Sequence, residues 1–325
     1  MGFPAIAIGI GARRLLFAGF FIVWLALFAL LANVDLGASI KAALSLTPST
    51  ALLLLLVFLA SITALACAAL ILLAKIKVKE GIGTLGRLLL ISMLIDNMAF
   101  QVMPLGEAVF AFLISKRHRI PFSKAAPLAV VMNATWAIGI TAANLVIFLI
   151  ALARGKLFTE LFVLGAFVFI STCALLLLSQ HGGVKKIIAS LAARLRIKLG
   201  EKAFFSSYKQ MCSPPTVAGA SLMQAAFHLL SIFFIYLALE AFGFPLDFVS
   251  VGFIYLSATF SSLLIFFIPI SFDAAALALL ASYGAPIGVA ALTIGTFRLF
   301  YYWLFNFAGA YFAFREPELR KLGIF

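Results

Sequence analysis

Apolar runs of about 20 residues recur along this chain, the length an α-helix needs to cross a hydrocarbon core about 30 Å thick. Segments 15–32, 51–74, 125–152, 158–180, 216–241 and 287–313 each meet that requirement. Inside a bilayer no water meets backbone N–H and C=O groups, so such runs must close their hydrogen bonds internally, as helices. With 65% of its residues hydrophobic and 11% charged, the chain is too apolar for a soluble domain. The expectation is an all-α integral membrane protein, a single polytopic domain over 1–325.

Two further apolar stretches, 85–115 and 248–283, are broken near their middles, at Pro104 and Pro269. At about 1.5 Å per residue, the piece 105–115 cannot cross the core. Each stretch is therefore expected as a re-entrant helical hairpin that enters and leaves on one side. Irregular backbone at that depth is allowed only where protein or a water-filled cavity surrounds it. The basic residues support this arrangement. With the N-terminus in the cytoplasm, every lysine and arginine except Lys41, Arg154, Lys156 and Arg298 falls in an inside loop. That positive-inside asymmetry holds only if both hairpins return to their own side. The expected topology is about six transmembrane helices plus two re-entrant hairpins, in a plasma membrane, with both termini cytoplasmic. The net charge of +13 lies in loops between spans, which points to topology and anionic lipid rather than to nucleic acid.

Superposing Pro104 on Pro269 brings Glu107 almost onto Asp273, Asn133 onto Arg298 and Thr141 onto Asn306. Residues 51–152, with hairpin 85–115, then form a first repeat, and 216–313, with hairpin 248–283, a second. Because their first spans run in opposite directions, the repeat is inverted, an architecture that permits alternating access. Between them, Val184, Ile187, Ile188, Leu191, Leu195 and Leu199 recur at helical spacing among Lys185, Lys186, Arg194 and Lys198. This predicts an amphipathic linker helix over 184–210 on the cytoplasmic surface. Cys67, Cys173 and Cys212 lack metal-ligand spacing, and neither a metal nor a cofactor is expected. Arg13-Arg14 before the first span resembles a signal peptide's charged start. The run Leu15 to Ala32 is long for one, however, and reads as a retained anchor.

An ionisable group in hydrocarbon costs several kcal/mol unless it is paired or wetted, so the intramembrane charges mark the candidate site. Arg298, Tyr302 and Asn306 are spaced to share one helix face near mid-span, too deep for the arginine to snorkel easily. Asn133, Thr141 and Asn144 form a second polar stripe that could line the same cavity. The nearby acids are Asp96, Glu107 and Asp273, and Gln101 adds an amide. Glu107 begins the returning half of its hairpin, where a helix N-terminus favours a carboxylate. Such a set could hold an anionic lipid headgroup on Arg298, or bind a coupling ion on the acids. The plainer alternative is an arginine–carboxylate pair that only locks helices. His228 reads as a packing histidine, and Glu240 and Asp247 as solvated surface acids. No nucleophile–base pair, phosphate-binding loop or HExxH is present.

The run MPLGEAVFAFLISKRHRIPFSKAAPLAVV resembles the Pro-x-x-Gly-Glu region of the lysylphosphatidylglycerol synthase transmembrane family, the flippase-like family. The run IPISFDAAALALLASYGAPIGVAALTIGTFRLFYYW resembles that family's second signature, with Asp273, Gly284 and Arg298 in matching places. The likeness spans about residues 80–313. It departs from the family pattern at Phe110, at Asn133 and Trp136, and at Ile270, Ser271 and Phe272. The resemblance implies a lipid flippase without the soluble aminoacyl transferase found in some members, so lipid aminoacylation by this stretch is not expected. The leading expectation is a flippase-like transporter of an anionic phospholipid or lipid-linked saccharide, non-enzymatic, with membrane lipids as partners and self-association left open. The rivals are an ion- or proton-coupled carrier of small solutes or polyprenyl phosphate, and an accessory subunit of a membrane glycosyltransferase.

Overall fold

The computed structural model describes residues 46–98, 105–155, 200–264 and 268–321, together with Leu44, Gly165, Ala166 and Ile170. The described residues contain helices and no strand. They form α1 (Pro48–Lys75), α2 (Ile82–Met98), α3 (Leu105–Arg117), α4 (Pro127–Ala153), α5 (Glu201–Met211) and α6 (Pro214–Ala241). They continue as α7 (Phe248–Leu264), α8 (Ile268–Ser282) and α9 (Ile287–Arg298), then a π-helical turn (Leu299–Leu304) leading into α10 (Phe305–Arg315) and α11 (Pro317–Lys321).

Four helices are long and apolar enough to cross a membrane: Pro48–Lys75, Phe122–Ala153, Pro214–Ala241 and Ile287–Arg315. They are the expected spans 51–74, 125–152, 216–241 and 287–313. The expected spans 15–32 and 158–180, and nearly all of the linker 184–210, lie outside the described residues. The described tail of that linker, α5, buries Phe204, Tyr208 and Met211 against α4 and the short turn before it. Proline opens α1, α4 and α6 in the first turn, where its missing N–H has no intrahelical partner to lose.

Helices α2, α3, α7 and α8 hold 17, 13, 17 and 15 residues, about 20–26 Å each, and none is a full span. They pack as pairs, α2 on α3 and α7 on α8. The second break falls before Pro269 rather than at it. Helix α8 already begins at Ile268, and Pro269 takes the second helical position, where proline is tolerated. The outer ends of the first pair lie together. Glu80, between α1 and α2, bonds Arg117 Nε at 2.9 Å and His118 Nε2 at 2.8 Å, both at the end of α3. Burial would raise the Glu80 carboxyl, but His118 and Arg117 outweigh it and hold it below the usual glutamate value. The clasp therefore adds stability at neutral pH that is lost as pH falls through and below the ordinary glutamate range.

In the second pair, Phe253 of α7 touches Tyr283, the residue after α8, with ring centroids 6.4 Å apart. Asp247, expected to be merely solvated, caps α7 by accepting from Ser250 N at 3.2 Å, and it lies 4.0 Å from Arg154 at the end of α4. Helix α6 is the hub and packs against α1, α4 and α9. Reciprocal contacts join the halves: α10 lies on α2, and α4 lies on α7.

The core between α1, α6 and the π-helical turn is aromatic, with Phe297 stacked on Tyr301 at 4.6 Å and Phe234 edge-on to both. Two polar contacts lie inside it. Ser61 bonds the Tyr301 hydroxyl at 2.6 Å, and His228 Nδ1 bonds the Tyr255 hydroxyl at 3.0 Å, the packing role expected of this histidine. Large apolar side chains point outward instead, among them Leu52, Leu56, Leu145, Leu149 and Leu152, as a lipid-facing surface requires.

Close helix approach fixes one testable position. A Cβ on Gly309 of α10 would stand 2.4 Å from the Leu90 carbonyl oxygen of α2, a backbone atom that cannot swing aside. Gly309→Ala is expected to cost about 1–3 kcal/mol by forcing the helices apart. Gly288→Ala, which opens onto empty space, should leave stability unchanged. Unfolding midpoints of the two variants in mild detergent measure the difference.

Candidate functional site

The first element of the site is a helix start. Helix α3 begins inside the bundle, so its first N–H groups need a partner other than water. Asp96, near the end of α2, supplies one: its Oδ1 accepts from Gly106 N at 2.6 Å. The approach leaves no room for a side chain, because a Cβ on Gly106 would lie 2.2 Å from both Asp96 Oδ2 and the Ser92 carbonyl oxygen. Glu107 follows directly, and its carboxyl lies beside that of Asp96. Glu107 also interacts with Asn133 of α4, whose Nδ2 donates to Ala129 O at 3.0 Å.

The second element is an ion pair. Asp273 of α8 and Arg298 at the end of α9 are 5% and 8% exposed, and Arg298 Nε donates to Asp273 Oδ1 at 2.6 Å. The guanidinium lies 5.1 Å from the Phe272 ring centroid and 5.7 Å from that of Tyr302, within cation–π range of both. Asp273 Oδ2 is buried without a hydrogen-bond partner among the described residues. Tyr302 interacts in turn with Asn306. Asn306 Oδ1 accepts from Asn97 Nδ2 at 3.0 Å, in full burial. Asn97 follows Asp96 in the chain, and its bond to Asn306 joins α2 to α10.

Of the residues expected at the site, Asp96, Glu107 and Asn133 lie together at the first pair, and Asp273, Arg298, Tyr302 and Asn306 at the second. Gln101 lies outside the described residues. One expectation needs correction. Arg298, Tyr302 and Asn306 do not lie along a regular α-helix, because the Leu299–Leu304 turn is π-helical and shifts the register between them. Arg298 and Tyr302 nevertheless stay adjacent. Thr141 and Asn144 border a hollow with Ile138, Leu145 and Gly165.

Sequence reasoning missed three contributors. Asn97 joins the two halves, Gly106 admits the Asp96 cap, and Phe272 covers the guanidinium. For Asn97 a signal existed, since Asp96-Asn97 is an adjacent polar pair at the end of an apolar run. Chemically, the residues offer a delocalised cation able to take an anion in a bidentate grip, and two neighbouring carboxyl groups.

The family model described as "Lysylphosphatidylglycerol synthase TM region" matches residues 12–309 of the chain. The comparison with curated proteins gives no match.

Breaking the buried pair tests its weight. Arg298→Ala strands the Asp273 carboxylate and should cost about 3–5 kcal/mol, whereas the double change Arg298→Met with Asp273→Leu should recover most of that loss. Reversible unfolding of the single and double variants in mixed micelles reads the coupling directly.

Proposed function

Since the chain belongs to the lysylphosphatidylglycerol synthase TM region family, with the membrane-lipid-related role that implies, we propose that it moves an anionic lipid across the plasma membrane. The cargo would be a phospholipid or a lipid-linked saccharide, and the protein a non-enzymatic transporter. The observation that carries this reading is the buried Arg298, held among Asp273, Phe272 and Tyr302 in the midst of apolar helices. On this reading each pair is a re-entrant hairpin, and residues 51–152 and 216–313 are inverted repeats. The Glu80 clasp at one face, the Phe253–Tyr283 contact at the other and the reciprocal packing of α10 on α2 and α4 on α7 support that reading. Both termini then lie on the cytoplasmic side.

Arg298 would take the phosphate, with Tyr302 and Asn306 extending its face toward the headgroup. Glu107 and Asp273 would receive hydroxyl or cationic parts of the headgroup. The neighbouring carboxyl groups of Asp96 and Glu107 would allow one further step, in which a proton is exchanged as the headgroup arrives. The same pair is the specific feature behind a second reading, a proton-coupled carrier of a smaller anion.

Two experiments test the proposal. Arg298→Lys keeps the charge but loses the bidentate grip. It should preserve the fold and weaken stabilisation by phosphatidylglycerol by about 1–3 kcal/mol in thermal-shift titrations. Undiminished stabilisation would make Arg298 a helix lock. Single cysteines at Thr84 and Lys116 should label from the cytoplasm alone, and at Asp247 and Gly284 from outside alone. Labelling of Thr84 and Lys116 from opposite sides would remove the hairpins.

A further inference from the structure

A second site lies at the face that holds the ends of α1 and α3, away from the central polar set. A pocket of about 500 Å³ opens there, lined by Phe112, Ser115, Lys116, Arg119, Ile120 and Phe122. Its wall is apolar and its mouth is cationic. Lys116 Nζ sits 5.5 Å from the Phe112 ring centroid, Phe122 is 38% exposed at the rim, and Lys116 and Arg119 are both exposed. The neighbouring cations are already committed, since Arg117 and His118 share Glu80. Among the described residues, neither Lys116 nor Arg119 is paired with a carboxylate. The Ser115 hydroxyl is occupied too, because it donates to Ile120 O at 2.8 Å. The charge at the mouth is therefore that of the lysine and the arginine.

The backbone adds an independent observation. Among the described residues, five helix C-termini end with a residue in the left-handed conformation. At the opposite face that residue is glycine each time: Gly155 after α4, Gly243 after α6 and Gly284 after α8, with φ of 71°, 77° and 86°. At this face it is a cation instead: Lys77 after α1, with φ 59°, and Arg119 after α3, with φ 52°. The turns themselves match. Ile120 N bonds Ser115 O and Arg119 N bonds Lys116 O, as Phe244 N bonds Leu239 O and Gly243 N bonds Glu240 O. A side chain in that conformation costs about 1–2 kcal/mol where glycine costs nothing. At this face the chain accepts that strain, and what it gains is a fixed positive charge at the rim of the bundle. Strain retained in this way is a pointer to function.

We propose that this pocket binds the phosphate of an anionic lipid in the leaflet at this face, with Lys116 and Arg119 on the phosphate and Phe112 and Phe122 against the glycerol and upper acyl carbons. A lipid satisfies both halves of the pocket, because cations and aromatic rings are placed together where headgroup meets hydrocarbon. A free phosphate would use the cations and leave the rings idle. The site is separate from Arg298, and it would hold a lipid at the surface whether or not that lipid is cargo.

Hydrogen–deuterium exchange on the full chain tests this. In phosphatidylcholine nanodiscs, added phosphatidylglycerol should slow exchange of the backbone over residues 115–124 by roughly tenfold at saturation, and less in high salt. The double variant Lys116→Gln with Arg119→Gly should abolish the effect. Because Arg119→Gly relieves backbone strain, that variant should unfold no earlier than the native chain, so loss of the effect would not reflect loss of the fold. Protection should persist in Arg298→Lys, which separates this site from the central one. Equal protection by glycerol 3-phosphate without acyl chains would make it a site for soluble phosphate and overturn the lipid assignment. No protection by phosphatidylglycerol, or full protection of the double variant, would overturn the site itself.

Discussion

A helix that begins inside an apolar bundle leaves N–H groups that water cannot reach, and the structure depends on how this chain meets that demand at α3. Asp96 answers it with a carboxylate oxygen 2.6 Å from Gly106 N. Three consequences follow from that one bond. Position 106 must lack a side chain. The end of α2 and the start of α3 are held together across the residues that join them. And Glu107, the next residue, is delivered against the same carboxyl. The acid that looked isolated in the sequence is thus half of a pair, and the pair exists because a helix start needed an acceptor.

The second half of the bundle satisfies its buried charge differently. Arg298 meets Asp273 through Nε and lies against two aromatic rings. The π-helical turn that follows widens the backbone just where Tyr301 and Tyr302 must serve different neighbours. Tyr301 reaches Ser61 and the aromatic core, while Tyr302 stays with the guanidinium and Asn306. A regular helix would set these side chains about 100° apart with no extra residue to absorb the mismatch. A buried ion pair is weak as a source of stability, since desolvation offsets much of its Coulomb gain. Its retention in so apolar a setting is better explained by a task that needs the charge than by packing.

Much of this was legible in the sequence, for physical reasons that differ by feature. The four long helices follow from apolar length alone. The two short pairs follow from length plus a proline, although Pro269 marks the second residue of a helix rather than the gap. The candidate residues stand out because charge in hydrocarbon is rare. Contacts were less legible. Nothing in the spacing of Arg298, Tyr302 and Asn306 announces a π-helical turn, and nothing in Asn133, Thr141 and Asn144 says that α4 directs them to different neighbours. Asn97 went unweighed because a neutral amide costs little enough to be overlooked beside an acid. The aromatic cover on Arg298 belongs to a residue, Phe272, that any apolar span could contain.

Charge placement links these local solutions to the membrane. The positive-inside pattern is usually read from loops, but here it extends into helix caps, where Lys77 and Arg119 hold a conformation that Gly155, Gly243 and Gly284 adopt without strain. Loop charges can move; a capping residue cannot, because two backbone hydrogen bonds fix its position relative to the helix end. A cation placed there keeps its distance to the headgroup plane whatever the loop does. If the two helix pairs rock against each other during transport, α1 and α3 must keep their depth while the central polar set opens and closes. Cations set into the ends of these two helices would hold that depth against an anionic surface, and glycine at either position would give that hold up.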